Sequence, residues 1–298
     1  ISNLSEFPPQ GKGVFMSIKI LIDSASDISL EESLKLGVEL IPLTVSFGDV
    51  DYLDGVDLLP HRFYEMLVEE NTIPKTSQVS PERFKKAYEK LTENGDQVIV
   101  ITISSKLSGT NASAVIAAKN YEGKVFVIDS YTVALGERLL CLHALDLIKE
   151  GLSASEIVER LENVKSKINI IAMVNTLEYL QKGGRISKAV AFAGEVFGIT
   201  PVVSIVDGEV VLIGKAIGSK KANNLLNKMI EKRGGINFNM PCGVLWSGFD
   251  DTVMKKYIKD SSHIWQGNIE SLPIYPLGCT IGTHVGPGTV GFAFFGNE

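Results

Sequence analysis

Residues 97–118 read QVIVITISSKLSGTNASAVIAA, an apolar run that ends in hydroxyl side chains and a glycine and continues as an alanine-rich segment. The β-branched residues from Val98 to Ile101 predict a buried strand, and the segment after Gly109 predicts a helix. Strands that lead through short turns into helices are typical of a parallel sheet covered by helices. This stretch therefore predicts an α/β fold.

The turn inside this stretch also has a chemical character. It brings hydroxyl groups together with unpaired backbone N–H groups and the positive end of a helix dipole, which favours anion binding. Ser108 and Thr110 have an alternative role, because an N-cap hydroxyl accepts a hydrogen bond from the backbone and needs no ligand. From this stretch alone, both roles stay open.

The rest of the first half repeats the alternation of strands and helices. Predicted strands span residues 18–22, 38–47, 98–103 and 125–128, and predicted helices span residues 29–36, 61–70, 81–93 and 131–149. Residues 45–57 indicate a small hairpin, and residues 71–80 indicate a loop. Ser153, with Glu156 three residues later, forms a capping box that predicts the start of another helix. We expect residues 16–165 to form an α/β/α domain with a parallel sheet.

The second half, residues 166–298, has a pattern that favours antiparallel pairing. Asp207-Gly208 separates two apolar runs, and this dipeptide supplies the positive φ values of a type I′ hairpin turn. Predicted strands span 168–174, 200–206, 209–213, 242–247, 269–275 and 289–295, and predicted helices span 176–181, 188–197, 219–232 and 250–259. We expect an α+β domain with a mixed sheet.

The first 15 residues differ from everything that follows them. They contain Pro8-Pro9 and two glycines, have no hydrophobic periodicity and precede Met16. We expect residues 1–15 to be an appended leader and Met16 to be the natural start.

The composition is that of a globular chain. Of the 298 residues, 45% are hydrophobic and 21% are charged, and the net charge is −6 at pH 7. A negative chain whose short basic groups lie beside acids argues against a nucleic-acid-binding surface. No run approaches the roughly 20 apolar residues of a membrane-spanning helix. We therefore expect neither nucleic acid nor stable membrane insertion.

The sequence also argues against the common metal and nucleotide sites. Cys141, Cys242 and Cys279 are widely spaced and form no Cys-x-x-Cys pair, so neither a disulfide framework nor a zinc site is supported. Free cysteines fit a reducing cytoplasm. A glycine-rich dinucleotide fingerprint and a phosphate-binding P-loop are both missing from the sequence. We expect no metal and no intrinsic cofactor.

Four further segments carry candidate functional side chains. Asp23 ends the first predicted strand, at the edge where ligands bind in open α/β sheets. Thr76-Ser77-Gln78 lies in a predicted loop, where turn formation and capping are the ordinary roles. Arg185 follows two glycines and can reach an oxyanion, although a surface position is the ordinary one. His284 lies in a Gly- and Pro-rich segment that predicts a rigid turn.

Taken in chain order, these segments resemble the DegV family of bacterial fatty-acid-binding proteins. The resemblance covers the chain from Met16 onward and rests on the segments Thr76-Ser77-Gln78, Ser105 to Ala114, Asp129-Ser130, Gly183-Gly184-Arg185-Ile186-Ser187 and His284 to Gly288. It implies a two-domain fold with a lipid tunnel between the domains.

The resemblance also implies which residues hold the fatty acid carboxylate. Carried over by motif, they are Thr76, Ser108, Arg185 and His284, with Ser77, Gly109 and Thr110 close by. Asn111 is a departure, since many relatives carry Tyr there, and it raises the prospect of different packing near the headgroup.

In function, the resemblance implies a lipid-binding protein without catalytic residues of its own. Such family members present a long-chain fatty acid to a separate ATP-binding subunit related to dihydroxyacetone kinase. That subunit phosphorylates the carboxylate to an acyl phosphate. The expected location is the cytoplasm.

Two other functions stay open. A stand-alone lipid carrier or sensor would use the same pocket without a kinase. A hydrolase would use Ser108 as nucleophile, His284 as base and an acid such as Asp23 behind it, but no Gly-x-Ser-x-Gly elbow surrounds Ser108.

Overall fold

The structure is a computed structural model that describes residues 17–70, 73–187, 198–267 and 269–297. The predicted leader, the predicted start at Met16 and the predicted helix 188–197 lie outside these residues. Among the described helices, none has the length and apolar character that crossing a bilayer requires.

The N-terminal domain is built on a parallel sheet, as predicted. In chain order, the strands of this half are β1 (Ile18–Asp23), β2 (Glu39–Ile41), β3 (Thr44–Phe47), β4 (Val50–Leu53), β5 (Lys75–Ser77), β6 (Gln97–Thr102) and β7 (Val125–Asp129). The parallel sheet has the order β2-β1-β6-β7, and an antiparallel sheet has the order β4-β3-β5.

Helices cover the parallel sheet. They are α1 (Leu30–Leu36), α2 (Pro60–Glu69), α3 (Pro81–Thr92), α4 (Thr110–Ala118), α5 (Leu135–Lys149) and α6 (Ala154–Val164). The predicted capping box at the start of α6 is confirmed, because the Ser153 side chain accepts from the Glu156 N–H and Glu156 accepts from the Ser153 N–H. The short helical turn Lys165–Lys167 then leads into the second sheet.

The C-terminal domain contains the predicted mixed sheet. Its strands are β8 (Ile168–Met173), β9 (Ile199–Val206), β10 (Glu209–Ile217), β11 (Cys242–Trp246), β12 (Ile274–Pro276) and β13 (Val290–Phe295), and its helices are α7 (Glu178–Lys182), α8 (Ser219–Lys232), α9 (Thr252–Asp260) and α10 (Cys279–Val285). The order is β10-β9-β8-β13-β11-β12, with only the β11–β12 pair parallel among these neighbours. The Asp207-Gly208 hairpin joins β9 and β10, as predicted.

The two domains share one hydrophobic core. Helix α5 lies between the sheets, where it contacts β1 and β6 on one side and β8 and β13 on the other. One face of the second sheet, including Ile170, Ala172 and Leu245, joins this shared core. The opposite face, including Ile171 and Phe292, packs in a separate core. Residues that alternate along β8 therefore serve two different cores.

Several predicted boundaries are wrong in informative ways. The predicted strand 38–47 is two strands, because Pro42 interrupts it and β3 belongs to the antiparallel sheet. The predicted loop 71–80 contains β5, whose pairing partner β3 lies far away in sequence. The predicted helix 131–149 begins only at Leu135, since Ala134 has a φ of 54°.

Two corrections concern the last part of the chain. The predicted strand 269–275 is a helical turn at Ile269–Ser271 followed by β12. His284 lies in the last turn of helix α10 instead of a rigid turn. The glycines of this segment do not prevent a helix, because other parts of the molecule bind its N-terminal N–H groups.

Candidate functional site

Two adjoining cavities lie between the domains. They contain about 540 Å³ and 450 Å³ of empty space, part of it open to solvent. Their walls have Val133, Leu180, Val210, Ile281 and Val285 in common, so the two cavities adjoin, and we refer to them together as the channel. The two cavities together border both domains.

The two cavities differ in polarity, and this gives the channel a direction. In the second cavity, the described lining is apolar except for Ser204 and Thr289. The Ser204 hydroxyl donates to the Ile170 carbonyl at 2.8 Å, and the Thr289 hydroxyl donates to the Val285 carbonyl at 3.4 Å. The polar side chains of the first cavity are Thr76, Ser77, Gln78, Ser108, Arg185, Thr280 and His284. One end of the channel is therefore polar and the other is apolar.

The structure brings most of the predicted site residues to the polar end. The lining residues of the first cavity include Thr76, Ser77, Ser108, Arg185 and His284. Gly109 and Thr110 lie beside Ser108, behind the described cavity wall. Residues from β5, α10 and the loops before α4 and after α7 thus meet at one place.

At the polar end, a hydrogen bond between Thr76 and His284 connects the two domains. The Thr76 hydroxyl on β5 lies 2.8 Å from the Nε2 atom of His284 on α10, a hydrogen bond between residues 208 positions apart. The other ring nitrogen, Nδ1, is buried and has no hydrogen-bond partner among the described residues. Gly183 faces this nitrogen so closely that an added Cβ would collide with the ring. The imidazole position is therefore tightly restricted.

His284 is neutral at pH 7. Burial and, as the smaller cause, the positive charge of Arg185 together lower its pKa from 6.5 to about 4. A neutral imidazole has one N–H donor and one acceptor nitrogen. Through Nε2, His284 therefore either donates to the Thr76 hydroxyl oxygen or accepts from the Thr76 hydroxyl, depending on its tautomer.

We expect this shifted pKa to appear in the pH dependence of stability. The unfolded chain binds a proton at His284 near pH 6.5 but the folded chain only near pH 4, so acidification through this window favours unfolding. The contribution of neutral His284 to the free energy of unfolding is fully present above pH 6.5. Compared with His284→Gln, the wild-type protein should lose roughly 2–3 kcal/mol of unfolding free energy between pH 7.5 and pH 4.5.

Urea denaturation of both proteins at the two pH values measures this difference. Other titrating groups are common to both proteins and cancel in the comparison. A wild-type-minus-variant difference that does not change with pH would mean that His284 keeps an ordinary pKa.

Arg185 is held by carbonyl oxygens of both domains. Its Nε atom donates to the Leu107 carbonyl at 3.1 Å, and its Nη1 atom donates to the Gly183 carbonyl at 2.6 Å. Among the described residues that line the first cavity, Arg185 is the only one that is charged at pH 7, because His284 is neutral. The guanidinium group thus places a fixed positive charge at the polar end.

The N-cap role that the sequence offered for Ser108 and Thr110 is not observed, because Gly109 occupies the N-cap position of α4 and provides no capping side chain. The Ser108 Oγ atom accepts from the Thr110 N–H at 3.2 Å and lies 2.9 Å from the Thr110 hydroxyl, just before the helix. Ser108 also lines the first cavity. Asn111 has a local role, since its side chain donates to the Thr102 hydroxyl at 2.9 Å.

The geometry does not resemble a hydrolytic triad. A triad needs hydrogen bonds from serine to histidine and from histidine to an acid. Ser108 bonds to Thr110, and His284 bonds to Thr76. Asp23 is fully buried, and its two carboxylate oxygens accept from the Ala25 and Ile103 backbone N–H groups at 2.9 and 2.8 Å. Asp23 therefore stabilises the ends of β1 and β6.

Some lining residues are absent from the sequence-based prediction. Gln78 and Thr280 line the first cavity, and the apolar end of the channel includes residues of the second sheet such as Ile170, Ala172 and Val203. Recognition of α10 as a helix would have found Thr280, because it lies four residues before His284 and shares its face. The described residues contain no group of three or more His, Cys, Asp or Glu side chains arranged for a metal ion.

The family of the chain follows from comparison with known proteins. Residues 17–297 match a family model described as "Uncharacterised protein, DegV family". A relative from Thermotoga maritima, described as a fatty acid-binding protein, is 34% identical, and the match covers 93% of this chain and 97% of the relative.

Solved structures of DegV family and fatty-acid-binding proteins are also similar to this chain. A fatty-acid-binding DegV family protein from Thermus thermophilus has a TM-score of 0.84 at 33% identity, covering 94% of this chain and 100% of the other. A stearic acid-binding protein from Eubacterium ventriosum has a TM-score of 0.79 at 27% identity, covering 93% of this chain and 97% of the other. With a family match along almost its whole described length and relatives above 30% identity, the chain belongs to the DegV family.

Proposed function

We propose that this protein binds one long-chain fatty acid in the channel between its domains. The carboxylate lies at the polar end and the hydrocarbon tail extends into the apolar end. The observation that carries this proposal is the pair of adjoining cavities, one with polar side chains in its wall and the other with an apolar lining. The fatty-acid-binding descriptions of relatives from Thermotoga maritima and Thermus thermophilus support the same ligand class.

The energetics of such a ligand fit this division of the channel. Burial of a methylene group contributes about 0.8 kcal/mol, so a 16-carbon tail contributes on the order of 10 kcal/mol before ordering costs. A hydrogen bond to a charged group contributes about 1.5–3 kcal/mol. The tail therefore supplies most of the affinity, and the polar end sets the orientation of the acid group.

At the polar end we assign the carboxylate to Thr76, Ser108, Arg185 and His284. Their hydroxyl, guanidinium and imidazole groups are the donors expected around a carboxylate. Ser77 borders the same space, while Gly109 and Thr110 fix the position of Ser108.

The protein then acts as the substrate-presenting subunit of a fatty acid kinase. A separate ATP-binding subunit, related to dihydroxyacetone kinase, transfers phosphate to the carboxylate and forms an acyl phosphate. Two observations support this role: the sequence contains no phosphate-binding P-loop, and Arg185 and His284 face the acid group that such a partner would modify. Because the partner consumes ATP, we place the reaction in the cytoplasm.

The ligand is tested by extracting purified protein with organic solvent and analysing the extract by mass spectrometry. We expect close to one fatty acid per protein chain. In delipidated protein, Ser108→Ala should weaken stearate binding by about tenfold, because one hydrogen bond to the carboxylate is lost.

Ser153→Ala is the matched control, since the Ser153 hydroxyl also accepts from a backbone N–H near a helix start but lies on the exposed start of α6. Folding of each variant is checked by circular dichroism. Absence of lipid in the extract, together with no stearate binding by the delipidated protein, would rule out the proposed ligand class.

The kinase role needs a separate experiment. The protein is mixed with the ATP-binding subunit from the same genome, ATP, Mg²⁺ and stearate, and acyl phosphate is trapped with hydroxylamine. Formation of acyl hydroxamate that depends on both proteins supports the proposed role. Fatty acid binding without any acyl phosphate would leave a stand-alone carrier or sensor.

A further inference from the structure

The N-terminus of helix α10 is bound by a carboxylate from the other domain. Asp54, which follows β4, accepts from the Cys279 N–H at 3.0 Å through Oδ1 and from the Thr280 N–H at 3.2 Å through Oδ2. Its exposed fraction is 1%. Gly278 occupies the N-cap position of α10 and has no side chain that could cap the helix. Asp54 therefore performs the task of an N-cap residue from 225 positions away in sequence.

The same helix forms part of the channel wall. Thr280, Ile281, His284 and Val285 of α10 all line the first cavity. At its C-terminal turn, His284 contacts Thr76 of the N-terminal domain. Helix α10 is consequently held by the N-terminal domain at both ends.

Helix α10 depends on such external contacts. It has only seven residues, and isolated helices of this length are unstable in water. A carboxylate at the N-terminus satisfies free N–H groups and interacts favourably with the helix dipole. Removal of that carboxylate would leave two buried N–H groups without their acceptor.

Asp54 is itself fixed to the N-terminal domain. Its Oδ2 atom accepts from the Ser24 hydroxyl at 3.0 Å. The same Ser24 oxygen accepts from the Leu43 N–H at 2.9 Å, and Leu43 lines the first cavity. Asp54 thus connects two parts of the cavity wall, although it is not among the lining residues of either cavity.

We propose that Asp54 is a positioning residue, which holds helix α10 in place and thereby sets the position of His284 in the headgroup site. This inference rests on the proposed fatty acid site for its functional consequence. Asp54 makes no contact with the ligand in this proposal and acts through the helix.

Asp27 provides a matched control for Asp54. It is a neighbouring acid that also binds the start of α10, because its Oδ1 atom accepts from the Gly278 N–H at 2.8 Å. Its Oδ2 atom has no hydrogen-bond partner among the described residues. An asparagine at position 27 keeps an oxygen for the one bond that exists and tolerates the φ of 59°. An asparagine at position 54 cannot accept through both of its side-chain polar atoms.

The experiment compares Asp54→Asn and Asp27→Asn in delipidated protein by NMR titration of the histidine rings. The His284 signal is assigned by its loss in His284→Gln. In wild-type protein we expect His284 to titrate near pH 4. In Asp54→Asn the loosened helix admits water, so the pKa should rise by about one unit or more toward the value of an exposed histidine. Stearate affinity should fall about tenfold, and Asp27→Asn should match the wild type in both measurements.

Each outcome either supports or overturns the positioning role of Asp54. A folded Asp54→Asn protein with wild-type His284 titration and wild-type stearate affinity overturns the proposal, as does an equal effect of Asp27→Asn. If Asp54→Asn does not fold, Ser24→Ala takes its place, because it removes the hydroxyl that donates to Asp54. A folded Ser24→Ala protein without any rise in the pKa of His284 then overturns it. The titration is done without ligand, so it tests the position of His284 even if the wild-type protein fails to bind stearate.

Discussion

Ala172→Leu is expected to weaken the binding of stearate by about 100-fold while leaving the binding of decanoate nearly unchanged. Ala172 lies on β8 and lines the apolar end of the channel. A leucine there occupies space that the end of a long tail needs. Exclusion of about four methylene groups, at about 0.8 kcal/mol each, corresponds to roughly 3 kcal/mol of binding free energy. Isothermal titration calorimetry with acids of 10 to 18 carbons measures the change.

Two controls separate this effect from general damage. Ala112→Leu adds the same side chain to the exposed face of α4 and should bind stearate like the wild type. Thermal unfolding of the delipidated Ala172→Leu protein should occur at or above the wild-type temperature, because the leucine fills empty space. Wild-type stearate affinity in this variant would show that the tail does not run along β8.

The second large effect is expected at the other end of the channel. Arg185→Gln should weaken stearate binding by roughly 10- to 100-fold, because a hydrogen bond to a charged group contributes about 1.5–3 kcal/mol. Octadecanol has the same tail but no charge, so its affinity should change by less than about threefold. Competition binding to the delipidated protein measures both ligands under the same conditions.

The comparison of acid and alcohol is informative because Arg185 also bonds to Leu107 and Gly183. Loosening of these contacts would weaken both ligands equally, whereas loss of charge recognition weakens only the acid. Lys106→Gln is the matched variant, since it removes an exposed positive charge from the same region without touching the first cavity. Equal losses for stearate and octadecanol would remove Arg185 from the carboxylate site.

Local features of the chain were predictable because local residues determine them. The apolar run that became β6, the Asp207-Gly208 hairpin and the Ser153 capping box each involve only a few neighbouring residues. The polar segments around Thr76, Ser108, Arg185 and His284 were also recognisable, because their side chains identify them as candidate anion ligands. Their meeting in one cavity was expected only from resemblance to a family.

Sequence patterns mispredict two segments because distant contacts override their local preference. The segment around His284 contains glycines and a proline, so its sequence favours a turn. It forms a helix because Asp54 and Asp27 bind its first N–H groups. The sequence of β5 predicts a loop because its three residues become a strand only through pairing with β3.

The amino-acid sequence by itself determined most of the strands and helices, the mixed α/β class and the chemical groups available for binding an acid. The tertiary structure alone decided that these groups face one channel, that its far end is apolar, and that His284 is neutral. The physical reason is the separation along the chain between the residues that interact. Strand and helix patterns depend on side chains a few positions apart, whereas the channel and the burial of His284 arise from the packing of two sheets around α5, between residues far apart in the chain.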